Sequence, residues 1–464
     1  MDHYSPFGSK SLAEIRAEDL AKLCEVHEGW YVEYKRQSPA ATAIAKSLAA
    51  FANTYGGWLF LGVAEKSKDE PTAGEICGLP RDEVDSCLQR LRKSAADHLN
   101  PTPHFETAVV WGPGASVGLP AEKAVVCVRI PQSASAPHVH SSGQIYRRVA
   151  GASEPRPETD RFVLDQLWKR QDEVKKRHDD WHKRDPEFSD SERTKPYIRL
   201  MMIADPWFER DPWLQDEDEV GSALGHGHGI SAIPFDTVYT TAGGFIGRQL
   251  TGNDPQNLAL TWRLRRNLQS DVVIPLPLYE TDDVRMLELQ LHGYTHVAEF
   301  TSILKKYTAG KLRIVDLNYL FNVLIGVAAT HERLCAIAGW GENYYFRVKL
   351  LNMWRTVPFL DIQAALARFA TSGLPMCLDA ATSIPSSVGP TSYLEVDRHA
   401  QIESIDMRAL GQALRMFAPI AIAFGVPPWL STNDEEELAY VRSLQDAGTR
   451  GIDVQRRRNS RSIK

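Results

Sequence analysis

The sequence predicts an α/β (α+β) fold for the first third of the chain and a larger mixed, mainly helical region for the rest. Apolar residues recur at helical spacing in Ser38–Asn53, and a short apolar run typical of a buried strand follows at Trp58–Val63. Two β-branched runs, Thr107–Trp111 and Ala124–Ile130, flank a loop rich in glycine and proline and predict a hairpin. Helical and strand patterns that alternate in this way are typical of mixed α and β domains.

The first helix has clear start and stop signals. Ser38-Pro39 suits a cap followed by the first helical turn, and Gly56-Gly57 ends the helix and turns the chain. Ile44, Leu48 and Phe51 form its apolar face. This face predicts packing of the helix against the strand that follows.

The remaining elements of the first block follow in chain order. The patterns predict a helix at Asp82–His98, a strand at Gln144–Val149 and a helix at Asp160–Lys169. The run Lys169–Lys195 then interleaves charges of both signs with few apolar residues, as in a solvated helix or a linker rather than a binding arm. We take this run as the domain boundary.

The region after the boundary yields a fold class but no chemistry. It predicts a strand at Tyr197–Ala204, a loop-rich stretch to Tyr279, and helical segments within Asp282–Trp340, Ile362–Ala370 and Ile405–Phe424. The predicted organisation is therefore an N-terminal extension (1–19), a first domain (20–168), a charged linker (169–195), a C-terminal region (196–450) and a disordered basic tail (451–464).

Composition excludes one function class and favours one location. The 464 residues carry 53 Lys and Arg against 59 Asp and Glu, a formal charge of −6, which excludes proteins that coat nucleic acid by bulk positive charge. The first 150 residues carry 16 basic and 17 acidic side chains, so nucleic-acid contact there requires a local cationic cluster. The N-terminus has no apolar signal core, and the longest apolar stretch near the C-terminus, Phe417–Val426, is too short to cross a membrane. Six cysteines are scattered without a CxxC pair. We expect reduced cysteines, a cytoplasmic location and no membrane association.

The segment with the most chemical information begins at Glu28. Glu28 and Glu33 stand five residues apart, and Lys35 and Arg36 follow at once. Strand alternation places Glu33 and Lys35 on one face. Paired carboxylates beside a lysine suit metal-assisted phosphodiester chemistry with Mg²⁺ or Mn²⁺, although an exposed ladder of glutamate and lysine is the commoner use of such a pattern.

Several motifs in a fixed order resemble the Schlafen AlbA-2 (AlbA_2) family. The family pattern of E…E-F-K, a helix ending in A-F-A-N-T-x-G-G and a strand ending in G-V is similar to the sequence from Glu28 to Val63. The resemblance covers about residues 20–165. Further matches are Glu75–Leu79, Asn100–Pro103, Ile130–Ser133 with Pro137-His138, and Ile145–Val149.

The resemblance implies an α/β domain that binds DNA or RNA. In animal Schlafen proteins the fold forms an endoribonuclease that cuts structured RNA such as tRNA with three acidic residues and a divalent metal. By motif those acids fall on Glu28, Glu33 and Glu65, which would hold Mg²⁺ or Mn²⁺. The third family acid is aspartate, and the longer side chain of Glu65 shifts its oxygens by about 1.5 Å. The sequence thus predicts nucleic-acid binding, with the metal-dependent endoribonuclease as the alternative.

Other residues of this block fit a surface that faces phosphates. Arginine and lysine side chains position a nucleic-acid backbone without reading its sequence. Asn53 is expected to cap the helix or bridge backbone groups, and His138 to be a structural turn residue. The cations predicted to contact phosphates are Lys35, Arg36, Lys46, Arg147 and Arg148.

Alternatives from other classes remain open. The chain has no GxxxxGK[ST] loop, so an ATPase is disfavoured. His226 and His228 stand in a glycine-rich loop without a third metal ligand nearby, which favours a plain loop over a metal site. A module that binds only proteins, a role in regulation or defence, and a homo-oligomer are all compatible with the sequence.

Overall fold

The computed structural model describes residues 4–8, 10, 12–67, 70–149, 154–206, 214, 216–225, 235–249, 256–306, 310–398, 404–426 and 434–462. They form two compact units. Unit 1 contains the described residues up to Lys183 together with Asp205 and Pro206, and unit 2 contains Arg184–Ala204 and the described residues from Leu214 onward. The division after Lys183 falls inside the predicted charged linker 169–195. The loop histidines His226 and His228 lie outside the described residues.

Unit 1 begins with two 3₁₀ segments, Leu12–Glu14 and Ala17–Glu25, and has a third at Ala115–Val117. Its strands and helices are β1 Val32–Lys35, α1 Ala41–Asn53, β2 Gly57–Leu61, β3 Ala64–Glu65, β4 Ala73–Glu75, β5 Leu79–Pro80, α2 Arg81–His98, β6 Leu99–Asn100, β7 Glu106–Trp111, β8 Lys123–Ile130, β9 Val139–His140, β10 Tyr146–Arg147, β11 Arg156–Pro157 and α3 Arg161–Lys183.

A five-stranded sheet organises unit 1. β1 and β2 run parallel, as expected for strands joined by a crossover helix, with Val32 opposite Trp58 and Lys35 opposite Leu61. β2 pairs antiparallel with β8, and β7 and β8 form the predicted hairpin. β5 pairs with the start of β8. The sheet order β1-β2-β8 makes β1 an edge strand.

Both faces of this sheet are covered. On one face, Leu59 and Leu61 of β2 pack in a core cluster with Ile44, Leu48 and Phe51 of α1. Because side chains alternate along a strand, Trp58 and Phe60 point to the opposite face. There they pack with Phe7, Ile15, Leu20 and Leu23 of the N-terminal segment. The segment 1–19, predicted as an extension, therefore contributes to the core of unit 1.

Two predicted helix boundaries differ from the structure. α1 begins at Ala41, and its N-cap position is Ala40, which makes no side-chain cap. Ser38 instead accepts hydrogen bonds from Arg90 of α2, because the residue before a proline favours extended backbone and the helix starts later. α3 is also longer than predicted and extends to Lys183, since Leu167, Val174 and Trp181 give the charged segment a buried stripe.

Unit 2 contains the rest of the described secondary structure. Its strands and helices are β12 Tyr197–Ile203, α4 Glu217–Gly225, β13 Thr237–Thr241, β14 Gly244–Arg248, β15 Thr261–Arg265, β16 Ser270–Pro275, β17 Leu278–Thr281, α5 Val284–Gln290, α6 Val297–Lys305, β18 Leu312–Asp316, α7 Leu320–Ile337, β19 Tyr344–Leu351, β20 Val357–Phe359, α8 Gln363–Ser372, β21 Ala381–Ile384, β22 Leu394–Val396, α9 Ile405–Ala423 and α10 Asp434–Ser462.

An eight-stranded sheet is the main feature of unit 2. Its order is β13-β14-β15-β16-β12-β19-β21, with β22 also paired to β19. The prediction of a loop-rich stretch up to Tyr279 is therefore wrong, because β13 to β16 form a continuous antiparallel meander. A separate three-stranded sheet has the order β17-β18-β20, and β18 and β20 are parallel.

Two helices of unit 2, α7 and α10, bury apolar side chains in the core of the unit. α10 continues to Ser462, so the predicted disordered tail is helical over its described residues. Val454 is buried on this helix and belongs to the core of the unit, which explains why the segment is helical. α7 is the one described helix long and apolar enough to cross a membrane by length and composition, and 78% of its apolar window is buried inside the protein. α7 is thus a core helix here.

Candidate nucleic-acid interface

Glu33 is the centre of a polar cluster in unit 1. Its side chain is only 1% exposed, and it points to the α1 side of the sheet from edge strand β1. Ser47 of α1 donates a hydrogen bond to Oε1 at 2.9 Å, and Lys35 Nζ lies 2.9 Å from the same oxygen. Arg148 approaches Oε2 at 3.0 Å. The prediction that Glu33 and Lys35 share a face is confirmed.

Arg148 lies inside unit 1 and not on its surface. Its side chain is 0% exposed and stacks over the ring of Phe51 at 4.9 Å. Besides Glu33, the guanidinium donates to the carbonyls of Gly29 at 2.7 Å and Val32 at 3.4 Å. Burial lowers the pKa of Arg148, and the carboxylate of Glu33 opposes this shift. The structure thus places this predicted phosphate contact in the scaffold, where it ties the residue after β10 to Gly29 and to the start of β1.

Lys35 and Arg36 lie at the exposed end of β1. The Lys35 side chain is 34% exposed, and that of Arg36 is 64% exposed and pairs with Glu75 at 3.2 Å. Burial alone would lower the pKa of Lys35, but the carboxylate of Glu33, followed by that of Glu28, outweighs it, so the pKa is raised. Lys35 therefore keeps its positive charge beside the buried cluster.

Glu28 and Glu65 flank this cluster. Glu28 is half-buried and accepts a hydrogen bond from the backbone N–H of Tyr34. Burial raises the pKa of Glu28 to about 7, and the charges of Glu33 and Glu65 act in the same direction. Glu65 is exposed on β3, at an irregular pairing with β4. The three predicted acids are thus electrostatic neighbours with different surroundings.

These acids do not fit a divalent metal centre as arranged. Among the described residues, no group of three or more His, Cys, Asp or Glu side chains is placed to hold a metal ion. Both oxygens of Glu33 are occupied by Ser47, Lys35 and Arg148, and an oxygen of Glu28 accepts the Tyr34 N–H. A metal ion would have to displace these donors or share the oxygens with them. The arrangement therefore lacks the ligand set that the endoribonuclease alternative requires.

Lys46 and Arg147 lie next in sequence to the partners of Glu33. Lys46 precedes Ser47, and its ammonium group lies 5.3 Å from the ring centroid of Tyr146. Arg147 precedes Arg148 and forms an ion pair with Glu158 at 2.7 Å. Its Nε has no hydrogen-bond partner in the part of the chain that the structure describes. The Glu33 cluster thus joins β1, α1 and β10, each of which carries a predicted phosphate-contact residue.

Comparison with known proteins identifies this block. The family model "Schlafen, AlbA_2" matches residues 28–157. Over these residues the chain matches the Schlafen AlbA_2 domain. The match confirms the resemblance predicted for about residues 20–165, with narrower limits, and the domain supports a role in nucleic-acid binding.

Matches to individual proteins are weaker. No curated protein matches this chain. A solved structure, the DIP2311 protein from Corynebacterium diphtheriae, aligns at 21% identity and a TM-score of 0.20, covering 31% of this chain. The aligned part spans 27% of that protein, about a quarter of its length.

Two motif residues hold the AlbA_2 domain together. Asn53 donates to the carbonyls of His138 at 3.1 Å and Tyr146 at 3.0 Å, and accepts from the His138 N–H at 2.7 Å. The prediction that Asn53 bridges backbone groups is confirmed. His138 is fully buried, and its Nδ1 contacts the carbonyl oxygen of Pro101. Such a position agrees with a structural turn residue.

The sequence reasoning missed two features of this interface. The first is Ser47, the hydroxyl partner of Glu33, which the α1 pattern presents as an ordinary small residue. The second is a row of aromatic side chains, Tyr4, Tyr31, Tyr55 and Trp30, whose neighbours are in contact ring to ring. Trp30-Tyr31 directly before β1 and Tyr55 inside the AFANTYGG motif were the available signals.

Proposed function

We propose that the AlbA_2 domain binds DNA or RNA through backbone phosphates that contact Lys35, Arg36, Lys46 and Arg147. The observation that carries the proposal is the Glu33 cluster. One buried carboxylate gathers Lys35, Ser47 and Arg148 from three elements, and the predicted cations are these residues or their sequence neighbours. The family match supports the same assignment.

Local charge favours a polyanion at this surface. Lys35 and Arg148 together more than neutralise Glu33, and the raised pKa of Glu28 reduces its negative charge near neutral pH. Arg36 forms only a surface ion pair with Glu75, which contributes little to stability and exchanges readily for a phosphate. The cluster therefore supplies the local positive site that the overall charge of −6 does not.

The proposed contacts do not select a sequence. Lysine and arginine contacts to phosphates fix position, whereas reading of bases needs contacts to their edges or faces. We therefore expect binding of both DNA and RNA, with unit 2 contributing specificity, oligomerisation or regulation.

The endoribonuclease is the weaker candidate. Glu28 would have to share or release the Tyr34 N–H, and Glu33 would have to leave a buried ion pair with Arg148. Removing one partner from such a pair leaves a buried charge without compensation, at a cost of about 3–5 kcal/mol. Incubation of tRNA with the protein and Mg²⁺ or Mn²⁺, beside a sample with chelator and a Glu33→Ala variant, tests it. Metal-dependent cleavage by the wild type alone would favour the nuclease.

Salt dependence tests the binding proposal. Fluorescence anisotropy with labelled tRNA and with a DNA duplex, at salt from roughly 50 to 200 mM, should give affinities that fall steeply as salt rises, because bound phosphates release counterions. Arg36→Gln should weaken binding of both ligands and reduce the slope of log affinity against log salt by about 1.

The control is Lys22→Gln. Lys22 is an exposed lysine of the 3₁₀ segment that covers the opposite face of the sheet, and the change should leave the slope unaltered. Affinities that do not depend on salt, or equal losses for Arg36→Gln and Lys22→Gln, would contradict the proposed phosphate contacts.

A further inference from the structure

Four aromatic rings form a continuous row on unit 1. Tyr4 stacks on Tyr31 with ring centroids 5.0 Å apart, Tyr31 lies 6.2 Å from Tyr55, and Tyr55 lies 5.4 Å from Trp30. Tyr55 is 37% exposed, and the other three rings are half-buried. Trp30 and Tyr55 belong to neither hydrophobic core of the unit. Core packing therefore does not account for the outer part of the row.

The backbone around these rings is fixed on both sides. Arg148 holds the carbonyls of Gly29 and Val32, which bracket Trp30 and Tyr31, and the Trp58 N–H donates to the Tyr31 carbonyl at 2.7 Å. The indole Nε1 of Trp58 donates to the Tyr4 carbonyl at 3.0 Å. The buried ion pair of Glu33 and Arg148 thus positions the half-buried rings of Trp30 and Tyr31.

The turn that carries Tyr55 is equally constrained. Gln132 donates to the Thr54 carbonyl at 2.6 Å, and the Gly56 N–H donates to the Phe51 carbonyl at 2.9 Å. A Cβ atom at Gly57 would lie 2.4 Å from the Phe51 ring and 2.6 Å from the Tyr31 carbonyl, so only glycine fits there. A row held this way loses little conformational entropy when a ligand packs against it.

Positive charge lies near Tyr55, beside the part of the row that it forms with Trp30. Arg170 of α3 donates to the carbonyls of Asn53 at 3.3 Å and Ser133 at 3.4 Å, close to the turn. Burial lowers the pKa of Arg170 to about 10, the nearby cation Arg147 acts in the same direction, and Tyr55 opposes the shift. Tyr55 is thus within electrostatic range of Arg170, and Arg170 of Arg147.

We propose that Tyr55 and Trp30, continued by Tyr31 and Tyr4, form a stacking surface for the unpaired bases of a single-stranded nucleic acid. Every base has a flat face that stacks on an aromatic ring, and the positive charge of Arg170 and Arg147 near Tyr55 attracts the phosphates between successive nucleotides. A duplex cannot use the row, because its bases are stacked on one another. This inference rests on the proposed nucleic-acid binding and adds the class of ligand, a single-stranded segment.

Base removal gives the sharpest test. A labelled oligo(dT), an oligo(U) of the same length and an oligonucleotide with abasic positions carry the same backbone charge, so only the bases differ between the first and the last. We expect the full-length protein to bind the abasic strand about 5- to 150-fold more weakly than oligo(dT), the range that stacking of one base supplies. Oligo(U) should bind within the same range as oligo(dT), because uracil offers the same flat face as thymine.

Matched variants assign the effect to the row. Tyr55→Ala should lower affinity for oligo(dT) by a similar factor without changing the salt slope, and should have no further effect on the abasic strand. Tyr55→Phe keeps the ring and should restore binding. Trp111→Ala is the control, because Trp111 is similarly exposed, at 39%, but is not part of the row. Trp111 lies at the end of β7, where its ring contacts Arg81 of α2.

The outcomes separate the two proposals. Salt-dependent binding that is equal for oligo(dT) and the abasic strand would overturn the stacking surface and leave the phosphate contacts intact. Binding of no nucleic acid at all would overturn both. Equal losses for Tyr55→Ala and Trp111→Ala would also contradict the stacking surface, provided that circular dichroism shows both variants to be folded.

Discussion

Glu33 in unit 1 and Asp361 in unit 2 are both buried carboxylates that bind an arginine, but their other hydrogen-bond donors differ. Glu33 is held by the side chains of Ser47, Lys35 and Arg148. Asp361 is fully buried and accepts from two backbone N–H groups, of Thr295 at 2.9 Å and His296 at 2.7 Å, and from Arg450 at 2.6 Å.

The difference lies in what each carboxylate orders. Asp361 fixes the backbone at the start of α6 and binds Arg450 of α10, so its partners are largely main chain and the arrangement is a structural anchor. Glu33 orders charged side chains, one of which, Lys35, reaches solvent. A buried carboxylate whose partners are side chains can thus position a cation at the surface. A buried carboxylate whose partners are mainly backbone N–H groups joins chain segments instead.

Removal of the arginine partner should give the largest difference in stability loss between the Glu33 and Asp361 sites. Arg148→Ala leaves Glu33 buried with less compensation, and we expect the free energy of unfolding of unit 1 to fall by about 3–5 kcal/mol. Arg450→Ala leaves Asp361 with two backbone donors and a partly exposed site, so the loss in unit 2 should be about 1–3 kcal/mol. Urea unfolding followed by circular dichroism measures both.

Arg148→Lys controls for charge. It restores a cation but not the fork that reaches Glu33, Gly29 and Val32 together, so it should recover only part of the loss. Equal losses for Arg148→Ala and Arg450→Ala would mean that the two centres are equivalent anchors, against the contrast drawn above.

Two turns that follow buried helices extend the contrast to the backbone. Gly57, after α1, has φ of +153° and no room for a Cβ atom, whereas Gly339, after α7, has φ of +65° and nothing within 4 Å. Gly57→Ala combines strain with overpacking and should cost about 2–4 kcal/mol, against about 1 kcal/mol for Gly339→Ala. Thermal unfolding of the two variants measures the difference.

The Gly57 variant also bears on the aromatic row. The clash falls on Phe51 and on the Tyr31 carbonyl, so Gly57→Ala should disturb binding of single strands as well as stability. Gly339→Ala should leave binding unchanged. If both variants lost the same stability and neither affected binding, the turn after α1 would be an ordinary helix end.

Much of unit 1 was predictable from motif order and strand alternation. The helix after β1, the strand ending in glycine and the β7–β8 hairpin follow from local patterns, and the shared face of Glu33 and Lys35 follows from period-two alternation. The fate of Arg148 was not predictable. Arg147-Arg148 reads as an exposed strand end, and the carbonyl groups that draw Arg148 inward lie at Gly29 and Val32, far away in sequence.

Unit 2 was harder because its signals are short. β15 alternates buried Trp262 and Leu264 with exposed Arg263 and Arg265, a period-two pattern that is typical of a strand. β14 mixes glycines with only two large apolar residues and gives no such signal. The tail shows the opposite failure, since a run of arginines that predicts disorder is the end of a helix, where cations interact favourably with the helix dipole.

The smallest expected effect, and the most local, concerns Glu28. Its pKa in the folded protein is raised to about 7 by burial, above the ordinary glutamate value of 4.5. Between these values the folded protein holds a proton that the unfolded chain releases, so this group makes stability fall as pH rises from about 4.5 to about 7 and adds no further change above. Glu28→Gln should remove that part of the pH dependence, measured as the difference in urea midpoint between pH 5 and pH 8.

Glu65→Gln removes a charge that contributes to the raised pKa of Glu28, so it should move the fall in stability to lower pH without abolishing it. Because ionised Glu28 adds negative charge beside Lys35, binding of nucleic acid should also weaken from pH 6 to pH 8 in the wild type and less so in Glu28→Gln. A Glu28→Gln variant with an unchanged pH profile of both stability and binding would contradict the effect of burial on Glu28.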